Sequence, residues 1–387
     1  MIYHCEDHTC NYWDEGEKLP ERCPQCGRKL LRANEADMTG DDWTALGNTL
    51  WDAEASDKKR MVDCFRKAAY LGSAWGVCNL GICMEQGNGV EADPVQAFWL
   101  YQQAVEMGSL NAVCCLGVCY QYGIGTAPDA KQAAELYCKA AEYGSPRGQM
   151  LLARAFHDGI GVEADAAEAV HWVRAAAYQR YGEGMHRLGV CYEYGDGVEQ
   201  NWEHAVHWFR EAAESGVSAA MTDLGYCYEK GCGVEQSWEQ AFSWYRRGAE
   251  CGDPVSMCNL GWCYEKGCGV EQSWEQAIKW YEQGAQCGDL QSMNNLAYCY
   301  ERGEGVEQNE DRALYWYRRS AEGGNGNAMC NLGWCYKRGY GVEQNWQEAV
   351  KWYEQGAQCG NLQSMHNLAC CYERGEGVEQ NEDRAFY

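Results

Sequence analysis

LGWCYEKGCGVEQSWEQAIKWYEQGAQCG occupies residues 260–288, and its landmarks return every 36 residues along the chain. The Gly-x-Gly pair of this stretch recurs nine times in the same register, from Gly87 and Gly89 to Gly375 and Gly377. A period of this size indicates stacked structural repeats, because each short unit must bury its apolar face against its neighbours. The sequence therefore predicts a repeat array rather than separate globular domains.

Each repeat is predicted to contain two helices. Residues 260–264 carry apolar side chains at helical spacing, and the glycine pair that follows ends the helix because glycine tolerates the left-handed conformation. The second helix begins after Ser273, which is a typical N-cap residue. The apolar face of this second helix is formed by Ala277, Trp280, Tyr281 and Gly284.

The pattern Leu-Gly-x-x-Tyr-x-x-Gly-x-Gly-Val, followed by Ala-x-x-Trp-Tyr-x-x-small-Ala, resembles the Sel1-like repeat, a relative of the tetratricopeptide repeat. The resemblance implies an all-α fold, a right-handed α-solenoid of about ten 36-residue helix-turn-helix repeats over residues 36–387. The first repeat, around Leu46 and Gly47, lacks the Gly-x-Gly pair, as suits a terminal unit. The sequence ends at Tyr387 within a predicted second helix, so we expect the last repeat to be truncated.

Residues 1–35 are predicted to form a separate zinc-ribbon-like head. Cys5, Cys10, Cys23 and Cys26 have the spacing C-x4-C-x12-C-x2-C, and four thiolates of this kind hold a structural zinc ion tetrahedrally. His8 offers an alternative ligand to Cys10. A segment this small needs such a metal to fold.

The remaining cysteines indicate a reducing compartment. Eight of the 25 cysteines occupy one position of the first helix. Equivalent positions of stacked helices should lie roughly 8–10 Å apart, which exceeds the about 7 Å Cα separation that a disulfide permits. We therefore predict buried apolar thiols and a cytoplasmic location. The eight residues are Cys83, Cys119, Cys191, Cys227, Cys263, Cys299, Cys335 and Cys371.

Charge and composition limit the partners. The formal net charge of −25 argues against nucleic acid, whose phosphates attract basic proteins. No apolar run reaches the length of a membrane span, and the first residues lack the hydrophobic core of a secretory signal. The resemblance to Sel1-like proteins implies a protein or peptide partner.

The candidate binding residues lie on the first helix, which lines the concave surface in tetratricopeptide-type arrays. The residue after the Leu-Gly pair is aromatic in four successive repeats: Tyr226, Trp262, Tyr298 and Trp334. A cation lies four residues later in each: Lys230, Lys266, Arg302 and Arg338. The rings could anchor a peptide or cover the seam between repeats. The cations could bind peptide carboxylates or stabilise the helix dipole.

The resemblance to Sel1-like proteins implies an interaction scaffold whose repeats bind other proteins. We predict a non-enzymatic one, because the sequence contains no HExxH, GxSxG or P-loop motif. One alternative is a thiol- or zinc-dependent hydrolase, since some cysteine-rich Sel1-like proteins have been linked to β-lactams, although this chain lacks their cysteine register. A second alternative is a purely structural spacer.

Overall fold

A computed structural model of the chain describes residues 2–5, 13–15, 30–33, 35–51 and 55–381. The chain divides into two compact units, residues 1–200 and residues 201–387. The described residues contain 19 α-helices and three short strands.

The first unit begins with the strands β1 (Ile2–Cys5), β2 (Trp13–Glu15) and β3 (Leu30–Ala33), which form an antiparallel sheet in the order β2-β1-β3. A 3-10 turn follows at Glu35–Asp37. The helices of this unit are α1 (Gly40–Thr49), α2 (Ala55–Tyr70), α3 (Ala74–Gln86), α4 (Pro94–Glu106), α5 (Leu110–Tyr122), α6 (Ala130–Glu142), α7 (Pro146–Asp158), α8 (Ala166–Tyr178) and α9 (Gly182–Tyr194).

The second unit is helical throughout its described residues. Its helices are α10 (Trp202–Glu214), α11 (Ser218–Lys230), α12 (Trp238–Glu250), α13 (Pro254–Lys266), α14 (Trp274–Gln286), α15 (Leu290–Arg302), α16 (Glu310–Glu322), α17 (Gly326–Arg338), α18 (Trp346–Gln358) and α19 (Leu362–Arg374).

The prediction of an all-α array of helix-turn-helix repeats is confirmed. From α3 onward every helix has 13 residues, and equivalent helices begin 36 residues apart, as Pro254 of α13 and Leu290 of α15 do. Below, the odd-numbered helices α3 to α19 are called first helices and the even-numbered helices α4 to α18 second helices. From α3 onward, the first and second helices of every repeat therefore have the same length.

The helix ends follow from the predicted turn residues. Gly267 caps α13 in the left-handed conformation, with φ of 70°, and its N–H donates to the Cys263 carbonyl. Ser273 caps α14, and its hydroxyl accepts a hydrogen bond from the Gln276 N–H. The Gln272 side chain donates to the Glu265 carbonyl over 2.8 Å, which satisfies a carbonyl that the end of the helix leaves without a partner.

A buried tyrosine forms the core of most repeats. Tyr281 on α14 is fully buried, and a Cβ added to Gly261 on α13 would lie 2.7 Å from the Tyr281 ring. Glycine at this position lets the ring pack directly against the helix backbone, and Ala297 is the one variant of it beside an equivalent fully buried tyrosine, Tyr317. Equivalent fully buried tyrosines are Tyr101, Tyr137, Tyr245, Tyr317 and Tyr353.

The second glycine of the Gly-x-Gly pair joins one repeat to the next. Gly269 has φ of +71°, and a Cβ there would lie 2.5 Å from the carbonyl carbon of Trp238, at the start of α12 in the preceding repeat. No side chain fits at this contact. Glycine at this position therefore allows the backbones of successive repeats to come into direct contact.

The predicted cysteine column is buried as expected. Its members have at most 2% of their surface exposed. The 21 cysteines whose side chains the structure describes carry free thiols. These thiols behave as small apolar core side chains.

The predicted zinc-binding residues fall almost entirely outside the described part of the chain. Cys5 is the last residue of β1, whereas Cys10, Cys23 and Cys26 lie outside the described residues. The same holds for His8. The zinc-ribbon-like head therefore stays a prediction.

Candidate interaction surface

The four predicted aromatic residues occupy equivalent positions on α11, α13, α15 and α17 of the second unit. We call Tyr226, Trp262, Tyr298 and Trp334 the aromatic strip. Direct contacts join α11 to α13 and α13 to α15, and the Asn331 side chain of α17 donates to Asn294 of α15 over 2.9 Å. Within the second unit, the structure therefore brings the first helices that carry these rings next to one another.

The rings of the strip also contact the seam between repeats. Trp262 packs against Trp238 with ring centroids 5.6 Å apart, and Trp238 belongs to the preceding repeat. Trp334 packs against Tyr340 at 5.5 Å, and the Tyr340 hydroxyl donates to the Glu301 carbonyl over 3.2 Å. These two tryptophans are half-buried, whereas Tyr226 keeps 43% of its surface exposed.

The four cations at the ends of these helices form the basic ladder, Lys230, Lys266, Arg302 and Arg338. Each lies four residues after a ring of the strip, so the two sets share one helix face. The Lys230 ammonium lies 5.8 Å from the centre of the Tyr226 ring, and the Arg302 guanidinium 5.1 Å from that of Tyr298. Strip and ladder therefore form one surface of alternating rings and cations.

A carboxylate next to the basic ladder accepts a hydrogen bond from the buried core tyrosine, a role that sequence reasoning missed. Glu265 is 9% exposed, and its Oε2 accepts a hydrogen bond from the Tyr281 hydroxyl over 2.8 Å. Its Oε1 lies 2.7 Å from the Lys266 ammonium. The same tyrosine bond recurs in four other repeats, from Tyr101 to Glu85, Tyr137 to Gln121, Tyr245 to Glu229 and Tyr317 to Glu301.

The carboxylates of this column change the electrostatics of their partners. Burial, together with the charge and hydrogen bond of Glu265, raises the pKa of Tyr281 above its ordinary range. The hydrogen bond to Glu265 raises the pKa of Lys266, and that to Glu229 raises the pKa of Lys230. The two lysines are therefore charged but already partnered.

The thiols of the described core have little nucleophilic character. Burial raises the pKa of Cys263 to about 12 and that of Cys191 to about 11, so both stay protonated at neutral pH. Cys115 differs, because its interaction with Cys78 and the nearby Arg147 guanidinium lower its pKa. Only 4% of Cys115 is exposed, so a substrate does not reach it.

Within the described residues, no group of three or more His, Cys, Asp or Glu side chains converges as a metal site would require. Cys10, Cys23 and Cys26 of the predicted zinc site lie outside the described residues. In the part of the chain that the structure describes, every helix is too short or too polar to span a lipid bilayer.

The fold and this surface define a protein built from stacked helical repeats. Comparison with known families agrees, because nine segments match the Sel1 repeat: residues 76–109, 112–145, 146–181, 182–217, 218–253, 254–289, 290–325, 326–361 and 362–387. The chain belongs to the Sel1 repeat family. Proteins of this kind generally act as protein-interaction scaffolds, and their fold is typically non-catalytic.

Two solved structures are similar to this chain over most of their length. One is a protective antigen of uropathogenic Escherichia coli with an SLR fold, at 32% identity and a TM-score of 0.61, covering 89% of this chain and 74% of that chain. The other is a Sel1 repeat protein from Oxalobacter formigenes, at 34% identity and a TM-score of 0.58, covering 63% of this chain and 96% of that chain. No curated protein matches the chain.

Proposed function

We propose that this chain is a scaffold that binds an extended segment of a protein partner along the aromatic strip and basic ladder. The observation that carries the proposal is the repetition of a ring and a cation, four residues apart, on four first helices of the second unit. By its resemblance to tetratricopeptide-type arrays, this face is the concave one. Buried aromatic anchors flanked by cations are typical of peptide-binding surfaces.

The spacing of the strip specifies the kind of segment it would bind. Neighbouring packed helices lie roughly 8–10 Å apart, whereas an extended peptide advances about 3.3 Å per residue. About every third residue of the peptide would therefore meet a ring of the strip. We expect apolar or aromatic residues at that spacing, with Asp or Glu between them.

The rings should contribute more of the affinity than the cations. Lys230 and Lys266 already pair with Glu229 and Glu265 at 2.7 Å, so a peptide carboxylate would share a cation that is exposed to solvent. Exposed ion pairs of this kind are worth about 0–1 kcal/mol. Truncating an aromatic anchor to alanine typically weakens the free energy of binding by about 2 kcal/mol or more. We expect a loss of about that size for Trp262.

Peptides selected from a random library on the whole chain test this proposal. Replacing the four rings of the strip together with serine is expected to weaken binding of the selected peptides at least about thirtyfold, the effect of losing about 2 kcal/mol. The matched control replaces four exposed tyrosines outside the strip, Tyr70, Tyr143, Tyr178 and Tyr315. Circular dichroism of both variants checks that the helices remain.

The opposite result is equally informative. Equal binding by the strip variant and the wild-type chain would remove the proposed surface and favour the spacer alternative. Selected peptides without the three-residue apolar spacing would contradict the extended binding mode.

We also propose that Cys5, Cys10, Cys23 and Cys26 hold a structural zinc ion, since their spacing supplies four thiolates. Protein purified without added metal should carry about one zinc ion per chain. Serine at Cys23 and Cys26 should remove it, whereas serine at the exposed Cys251 and Cys287 should not. Elemental analysis showing no zinc in the unaltered chain would contradict the site.

We infer a cytoplasmic location from the cysteines. The buried column consists of thiols that act as core side chains, and such proteins suit a compartment that keeps thiols reduced.

A further inference from the structure

The first unit contains a cavity of about 520 Å³ between α7, α8 and α9. Part of its wall is apolar and buried, and Ala153, Val170, Val173 and Cys191 each have at most 3% of their surface exposed. The rest of the lining is largely polar and charged. The volume lies within the range of small-ligand sites, which is about 300–1,000 Å³.

The cavity is the space that a tyrosine fills in other repeats. Val173 stands at the position of Tyr281, 108 residues later, so this repeat lacks the buried ring. In its own repeat, Tyr281 packs against Gly261, donates to Glu265 and lies close enough to Cys258 and Cys299 to interact electrostatically. The residues at those four positions here are Ala153, His157, Met150 and Cys191, and all four line the cavity.

The same repeat departs from the pattern at its next turn. Arg180 replaces the usual glycine and keeps the left-handed conformation, with φ of 60°, as the one non-glycine residue with positive φ among the described residues. Tyr181 replaces the usual capping side chain, makes no cap hydrogen bond and lines the cavity. Departures from local rules are expected at functional sites, because elsewhere they only cost stability.

The polar part of the lining is nearly neutral, because Arg147, Arg154 and Arg187 are balanced in number by Asp158, Glu183 and Asp196. His157 Nδ1 lies 2.6 Å from Asp158 Oδ1, and its Nε2 lies 3.4 Å from Asp196 Oδ2. Arg187 lies 3.4 Å from Asp196, and Arg154 lies 3.4 Å from Asp158. Positive and negative side chains of the lining are equal in number, so the lining favours a neutral polar group over a phosphate dianion.

We propose that this cavity binds the phenol ring of a tyrosine side chain presented by a protein partner. The ring would occupy the space that Tyr281 occupies in its own repeat, and its hydroxyl would meet the polar group at His157 and Asp196. Buried tyrosines require such a hydrogen-bond partner. The cavity is larger than one ring and leaves room for adjacent peptide. The proposal rests on the proposed scaffold function only in requiring that the ligand be a protein side chain.

The test uses the whole chain and p-cresol, which is the tyrosine side chain alone. We expect p-cresol to shift the amide resonances of α7, α8 and α9, and toluene to bind several-fold more weakly because it lacks the hydroxyl. N-acetyl-tyrosine methylamide should bind at least as tightly as p-cresol, since a protein would present the ring on a peptide backbone.

The blocking variant restores the pattern of the other repeats, Val173→Tyr with His157→Glu. It should weaken p-cresol binding at least tenfold and raise the melting temperature, so the loss cannot come from unfolding. The neighbouring Ala153 need not change, because Ala297 faces the buried Tyr317 at the equivalent position. Val173→Phe is a second blocking variant, since Phe209 is fully buried at this position in the second unit.

Three results would overturn the proposal. The first is that p-cresol still shifts the resonances of both blocking variants, and the second is that phenyl phosphate binds more tightly than p-cresol. The third is that p-cresol binds but N-acetyl-tyrosine methylamide does not. The last would indicate a site for a small free phenol. None of these results involves the aromatic strip, so they leave the peptide-selection test of the scaffold function independent.

Discussion

Replacing Tyr281 with alanine is expected to lower the free energy of unfolding of the second unit by about 3–5 kcal/mol. The Tyr281 ring is fully buried, packs against the backbone at Gly261, and leaves a cavity when it is removed. Its hydroxyl is also the partner of the nearly buried Glu265. Urea denaturation followed by circular dichroism measures the loss, and hydrogen exchange should show it concentrated in α13, α14 and α15.

Tyr281→Phe is the matched control for this prediction, because it keeps the ring and removes the hydroxyl. It should cost about 1–2 kcal/mol, since Glu265 loses one hydrogen bond and retains Lys266. Tyr226→Ala, at an exposed ring, should cost less than about 0.5 kcal/mol. If the alanine variant at Tyr281 were no less stable than the phenylalanine variant, the ring would not be the core of the repeat.

Replacing Gly269 with alanine is expected to destabilise the second unit by about 2–4 kcal/mol. Two effects add: the residue has φ of +71°, and its new Cβ would collide with the Trp238 carbonyl group of the preceding repeat. The collision should separate neighbouring helix pairs, so hydrogen exchange should rise in α12 as well as in α13. Chemical denaturation gives the size of the loss.

Gly267→Ala separates the two effects. Gly267 has nearly the same φ, +70°, but the nearest atom to an added Cβ is the Gln272 side chain at 3.4 Å. We expect a cost of about 1 kcal/mol from the backbone conformation alone. Equal losses in the two variants would show that the contact between repeats is not set by Gly269.

Most of the fold could be predicted because each position of the 36-residue repeat occurs many times in the sequence, so its preferred residue type is visible. The position of Gly267 predicted a helix end, and the structure places a left-handed cap there. The buried cysteine column followed from the same register. The hydrogen bond between Tyr281 and Glu265 was missed, because it joins residues 16 apart on different helices. Its signal was nevertheless present, since the tyrosine and the carboxylate or amide occur together in five repeats.

The candidate sites were harder to predict, because side-chain surroundings depend on the packing of neighbouring repeats. The sequence identified the aromatic strip but did not decide whether its rings anchor a peptide or cover the seam between repeats. The structure shows Trp262 packed against Trp238 of the preceding repeat. The cavity beside Val173 was missed entirely. A search for repeats that depart from the consensus, rather than for the consensus itself, would have found Val173 and His157.

Nuclear magnetic resonance of the tryptophan indole groups tests whether the aromatic strip is the binding surface. A peptide selected on the whole chain is added to labelled protein. We expect the indole resonances of Trp262 and Trp334 to shift on binding, whereas those of the exposed Trp75 and Trp99 stay in place. Shifts confined to Trp75 and Trp99, with Trp262 and Trp334 unchanged, would contradict it.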